Sequence, residues 1–156
     1  MYTKNEQLML KALSQAKLAY NKGEAAVGAI IVKDGQIIAR GHNQKEAKHD
    51  VTSHAEIEAI RKAAKKLGTW RLAGCDMYVT LEPCPMCAGA IIQSRIRTLY
   101  IGAMDNRAGA AGSVVDLFRV QQFIHRVDVV YGVLHEQCAE ILKIFFAKLR
   151  TRKEVR

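Results

Sequence analysis

The chain has 156 residues, of which 49% are hydrophobic and 25% charged. That length suits one domain, residues 1–156, with a core of its own, and the balance excludes bulk disorder and a fold that depends on disulfides. Lys and Arg number 24 against 15 Asp and Glu, a net charge of +9. Such an excess predicts attraction to a polyanion, nucleic acid before an anionic membrane, although a solvated basic surface would account for it too.

The first residues, Met1 to Glu6, carry neither an apolar core nor a small-residue cleavage site, so no secretory signal is expected. Apolar runs such as Ala25–Val32 fall far short of the roughly 18 residues of a membrane span. The expected location is the cytoplasm, where thiols stay reduced. In chain order, Leu8, Met9, Ala12, Leu13, Ala16 and Tyr20 recur at helical spacing and predict a helix from about Asn5 to Tyr20. Ala25–Val32 reads as a strand, Lys33-Asp34-Gly35-Gln36 as a hairpin turn, and Ile37–His42 as its partner. A polar loop from Asn43 to Thr52 precedes a helix over Ser53–Leu67, which Gly68 stops. Met77–Leu81 is a strand, and a short helix opens at Pro85 and runs to about Ser94. Thr98–Ile101 is another strand, Val114–Phe118 a short helical stretch, Val127–Val133 the last strand and His135–Arg150 a closing helix. Strands alternating with helices give an α/β sandwich.

Of the cysteines, Cys84 and Cys87 form the one closely spaced pair, at a predicted helix start. That spacing lets both sulfurs reach one tetrahedral zinc at about 2.3 Å, and the positive end of the helix favours thiolates. Alone, the pair also fits a redox couple or two thiols packed in a core. No thioredoxin-like context surrounds it, and Cys75 and Cys138 supply no second close pair for a four-cysteine site.

His54-Ala55-Glu56 offers an imidazole and a carboxylate. Ser53 to Glu56 equally fits an S-x-x-E capping box, with Glu56 on the Ser53 backbone. Both segments open helices after strand-and-loop stretches, where sites form in α/β sheets. His54, Cys84 and Cys87 together make three ligands with an open fourth position, the pattern of a catalytic zinc. Glu56 beside a zinc-activated water is a proton carrier, and the expected chemistry is hydrolysis.

His54-Ala55-Glu56 followed by Pro83-Cys84-Pro85-Met86-Cys87 resembles the cytidine and nucleobase deaminase superfamily. Within it the chain is most similar to the tRNA-specific adenosine deaminases, through Val27-Gly28-Ala29, Gly41-His42-Asn43, Thr52–Ile57, Tyr78–Gly89, Gly109–Ser113 and His125-Arg126-Val127. The resemblance implies a three-layer α/β/α sandwich with a mixed, roughly five-stranded sheet. It implies a homodimer with one zinc per chain that converts the wobble adenosine of a tRNA anticodon to inosine. Asn43 would hydrogen-bond the flipped adenine or its sugar, and the backbone at Ala55 would help hold the base. Lys45, Asp105, Arg107, His125, Arg126, Phe145 and Arg150 match positions that line the RNA groove, although at least one of Phe145 and Phe146 is expected in the core. Three positions depart from the family. Ala25-Ala26 and Val51 stand where prolines are usual, and Ile124 replaces an Asn. Other readings of the same motifs are a free nucleobase or nucleoside deaminase, a deaminase of single-stranded DNA, and a non-catalytic RNA-binding module with a structural zinc.

Overall fold

The structure, a computed structural model, describes residues 1–155, with side chains through Arg152; Arg156, the end of the expected domain, lies outside the described residues. Among the described residues eleven elements follow one another. Helix α1 (Lys4–Asn21) leads into strands β1 (Gly28–Lys33) and β2 (Gln36–His42), a one-turn helix α2 (Lys45–Lys48) and helix α3 (Ala55–Leu67). Strand β3 (Cys75–Leu81), helix α4 (Pro85–Gln93), strand β4 (Thr98–Ala103), a 3-10 turn (Leu117–Arg119), strand β5 (Asp128–Val130) and helix α5 (His135–Val155) complete the chain.

The sheet runs β2-β1-β3-β4-β5. β1 pairs antiparallel with both β2 and β3, while β3–β4 and β4–β5 are parallel. This is the mixed five-stranded sheet that the resemblance implied. The hairpin forms as its Asp-Gly pair predicts: Asp34 and Gly35 both take positive φ, 51° and 76°, as a type I′ turn requires.

Side chains alternate through the central strands and build two cores. Ala29, Ile31, Met77, Val79, Leu99 and Ile101 face the layer of α3 and α4. Ile30, Val32, Tyr78 and Tyr100 face α1 and α5, with Met9, Leu13, Cys138 and Leu142. Strands covered on both faces read as unbroken apolar runs, which is why Ala25–Val32 showed no alternation. Among the described residues no helix is long and apolar enough to cross a membrane.

Several boundaries differ from expectation. β1 opens at Gly28, not Ala25, because Val27 N–H turns back to Ala25 O at 2.8 Å. The loop after β2 contains α2, which carries only polar and small residues and no buried face to betray it. The last strand is three residues long, at the sheet edge. Thr3 and Glu6 form a capping box that starts α1 earlier than its apolar stripe.

Candidate active site

Helices α3 and α4 point their first turns at the same place. His54 is the N-cap of α3 and Cys84 the N-cap of α4, both with extended backbone, and Pro85 occupies the first turn of α4. His54 Nδ1 lies 3.6 Å from Cys84 Sγ and 3.5 Å from Cys87 Sγ. A tetrahedral ion about 2.0–2.3 Å from nitrogen and sulfur ligands holds them about 3.6–3.8 Å apart. The three residues, whose donor atoms all lie within 4.8 Å of one another, therefore fit a metal ion as they stand. Their number leaves a fourth position for a reactant.

Close approach of the helix makes this possible. At Gly41, in β2, a Cβ would overlap the Ala55 carbonyl, so only glycine lets the first turn of α3 rest on the strand. Ser53 does not cap α3. Its hydroxyl donates to Glu58 at 3.1 Å, and its N–H donates to Asp50 O at 3.1 Å. Glu58 is buried and paired with Lys48 at 2.9 Å, which ties the Asn43–Ser53 loop to α3. The capping-box reading of Ser53 and Glu56 thus gives way to a tertiary network, and Glu56 is left for the site.

Glu56 is 4% exposed, and burial pushes its carboxyl up to about 7. A hydrogen bond from Cys87, opposed by burial and helped by His54, draws Cys84 down to about 4. The Cys84 sulfur and burial push Cys87 up, and Cys84 holds His54 above its ordinary value against the effect of burial. One thiolate is therefore preformed on Cys84, and binding of a divalent cation would release the proton on Cys87.

The cluster opens into a cavity of about 240 Å³ lined by Asn43, Lys45, His54, Ala55, Glu56, Cys84, Asp105 and Phe146, with Ala25, Val27, Leu81, Glu82 and Ala108. Asn43 is buried and accepts from Lys45 N–H at 3.3 Å. Asp105 Oδ1 accepts from Arg107 N–H at 3.0 Å, and the Arg107 guanidinium lies 5.6 Å over the Phe146 ring at the mouth.

Other expected residues lie elsewhere. Phe145 packs edge-on against Tyr20 in the α1–α5 core, and Phe146 lines the cavity instead. Successive helical residues point about 100° apart, so only one of the two can face the mouth. His125 bonds Ile96 O at 2.7 Å and, with Arg126, lines a different cavity beside the 3-10 turn. Arg150 is exposed on α5. Of the departures, Ala25 lines the same cavity as Glu56, while Val51 and Ile124 are 71% and 92% exposed.

Gly41, Phe146 and Glu82 stand in or beside the motifs of the sequence but had no site role assigned there. Burial works against charge on Glu82, yet donors from Ser113, Asp105 and Ala111 hold its carboxyl below the usual carboxylate range. In the sequence Glu82 is marked by its place before Pro83-Cys84, inside the matching stretch Tyr78–Gly89.

The family model of MafB19-like deaminases matches residues 3–150. The chain is 46% identical over 152 residues to the tRNA-specific adenosine deaminase of Bacillus subtilis, covering 97% of this chain and 94% of that one. A solved structure from studies of A-to-I editing by tRNA:A34 deaminases at the wobble position superposes with a TM-score of 0.85. It is 47% identical and covers 87% of this chain and 99% of that one. The guanine deaminase structure of Bacillus subtilis reaches 0.63 at 43% identity, over 69% of each chain. With the donor cluster, the buried glutamate and the mixed sheet in place, the chain belongs to the MafB19-like deaminase family and, within it, to the tRNA-specific adenosine deaminases.

Proposed function

We propose that the protein hydrolyses the amino group of adenosine to give inosine at the wobble position of a tRNA anticodon. The observation that carries this reading is the buried Glu56 carboxyl in the wall of the cavity shared with His54 and Cys84. One imidazole and two sulfurs suit zinc, and we assign one zinc to His54, Cys84 and Cys87. When bound, zinc supplies the Lewis acidity that makes water a nucleophile near neutral pH. Glu56 does the proton work. Its carboxylate accepts a proton from water, delivers it to a ring nitrogen of adenine, and assists the departing amino group, which leaves as ammonia.

A base can reach this floor only from an unpaired loop, flipped out of its stack. Asn43 and the Ala55 backbone, which line the cavity, would hold it. Lys45, Asp105 and the Arg107–Phe146 pair surround the mouth, where a neighbouring nucleotide can stack and its phosphate find a cation. Arg150 stands one helical turn beyond Phe146 on the same side of α5 and extends that basic edge. The +9 charge suits such a polyanion and is not required by a free base.

Exposed Phe123 and Ile124 lie beside His125 and Arg126, outside the cavity that Glu56 lines. We assign this surface to the second subunit of a homodimer, and we place the protein in the cytoplasm, where its four free cysteines stay reduced. The test is incubation with tRNA bearing adenosine at the wobble position, followed by sequencing for inosine, with guanine as control substrate. Inosine at that position is expected. Brisk guanine turnover without inosine would replace this reading by a free-base one.

A further inference from the structure

Two buried carboxylates stand outside the reacting cluster, Glu24 and Glu82, each 2% exposed. Among the described residues neither forms an ion pair. Burying a charge without a counter-charge is unfavourable, and each group is stabilised by hydrogen bonds instead. Glu24 Oε1 accepts from Glu46 N–H at 3.0 Å and Oε2 from Ala47 N–H at 2.9 Å. Glu82 Oε1 accepts from Asp105 N–H at 2.9 Å and from the Ser113 hydroxyl, while Oε2 accepts from Ala111 N–H at 2.9 Å and Ser113 N–H at 3.0 Å.

The donors Glu46 and Ala47 belong to α2, next to Lys45, and Asp105, Ala111 and Ser113 belong to the loop after β4, so both sets lie on segments that rim the cavity. Glu24 holds the turn that carries Lys45. Glu82 holds the loop that carries Asp105 and Ala108. In the sheet the two rims leave from β2 and β4, on either side of β1 and β3. An ionised carboxylate offers about four acceptor sites, and Glu82 uses all of them on a single loop. That loop is moulded to it, since a Cβ at Gly109 would overlap the carboxylate. An apolar core residue would fill the same volume and fix neither rim.

We propose that Glu24 and Glu82 are positioning residues that preform the two rims between which the RNA strand enters. The substrate in this statement rests on the RNA-editing reading above. The rim-holding itself does not.

Glu82→Gln and Glu24→Gln in the metal-loaded full chain test it. An amide keeps one acceptor oxygen and turns an NH2 toward backbone donors, so each variant loses charge-assisted hydrogen bonds in one rim. For an anticodon stem-loop, KM should rise about tenfold in each variant, with kcat within about threefold of wild type. Hydrogen exchange should quicken in residues 105–113 of Glu82→Gln alone and in residues 43–48 of Glu24→Gln alone. Ser113→Ala, which removes a single hydroxyl, keeps the question open to measurement should Glu82→Gln not fold; it should raise KM about two- to threefold and loosen only 105–113. Unchanged KM, unchanged loop exchange, or both loops loosening together with a lowered melting temperature would overturn the proposal. Should wild type make no inosine, the RNA reading falls while the exchange data still decide the rims.

Discussion

The floor and the rims of the cavity are built on different principles. The floor consists of two helix starts, where His54, Glu56, Cys84 and Cys87 are fixed by backbone spacing and by the approach of α3 to Gly41. The rims are loops, held by buried carboxylates and by the Lys48–Glu58–Ser53 network. The metal-type donors and the buried carboxyl therefore sit on regular structure and the cavity's rims on connecting segments, a division common to enzymes on α/β scaffolds. All three departures from the family, at Ala25-Ala26, Val51 and Ile124, lie outside the floor's donor set.

The largest effect is expected at Glu56→Ala, which should lower kcat by about 10²–10⁴-fold or more while leaving folding and metal content intact. Retained activity would remove Glu56 from the mechanism. Gly41→Ala should come next, because the added methyl must push the first turn of α3 off β2. A stability loss of about 1–3 kcal/mol and loss of bound metal are expected, read by thermal unfolding and mass spectrometry.

A third measurement concerns pH in metal-stripped protein. The Glu56 carboxyl rises from 4.5 to about 7 on folding, so the folded state binds the proton more tightly. This group's contribution is therefore fully present below about 4.5 and is lost as pH rises through about 7, by up to about 3 kcal/mol. Cys84, drawn down to about 4, contributes with the opposite sign, present above its unfolded value near 9 and lost as pH falls toward 4. The difference between wild type and Glu56→Gln isolates the first slope, and equal slopes would show that Glu56 is not raised.

Phe145 and Phe146 give a crossed pair. Phe145→Ala should lower stability by about 2–3 kcal/mol with little change in KM for RNA, since it packs on Tyr20. Phe146→Ala should do the reverse, raising KM with stability within about 1 kcal/mol. The smallest effect is expected at Ile124→Asn, where the side chain is 92% exposed: the stability of one subunit should move by no more than about 0.5 kcal/mol, and the association of subunits should weaken. Unaltered association by light scattering would take Ile124 out of the dimer surface.

Much of the fold was legible because its signals are local. The Asp34-Gly35 hairpin, the Pro85 helix start, the Gly68 stop and the apolar stripe of α1 each follow from a few neighbouring residues. Helix α2 was not, since four polar and small residues held by a carboxylate from another loop leave no periodic trace. The capping box tells the same story twice. Thr3–Glu6 forms one with nothing competing for it, whereas Ser53–Glu56 has the same pattern but Asp50 and Glu58 engage Ser53 instead.

The candidate donor set His54, Cys84 and Cys87 with Glu56 was legible in the sequence, because the spacing of two cysteines and of an imidazole and a carboxylate two residues apart are properties of the chain's own covalent order. Only the tertiary structure decided that Glu56 is buried rather than capping, that Phe146 rather than Phe145 reaches the cavity, and that His125 and Arg126 stand apart from it. Those outcomes depend on which distant side chain competes for a hydrogen bond and which face of a helix meets a core. Neither is written in local spacing.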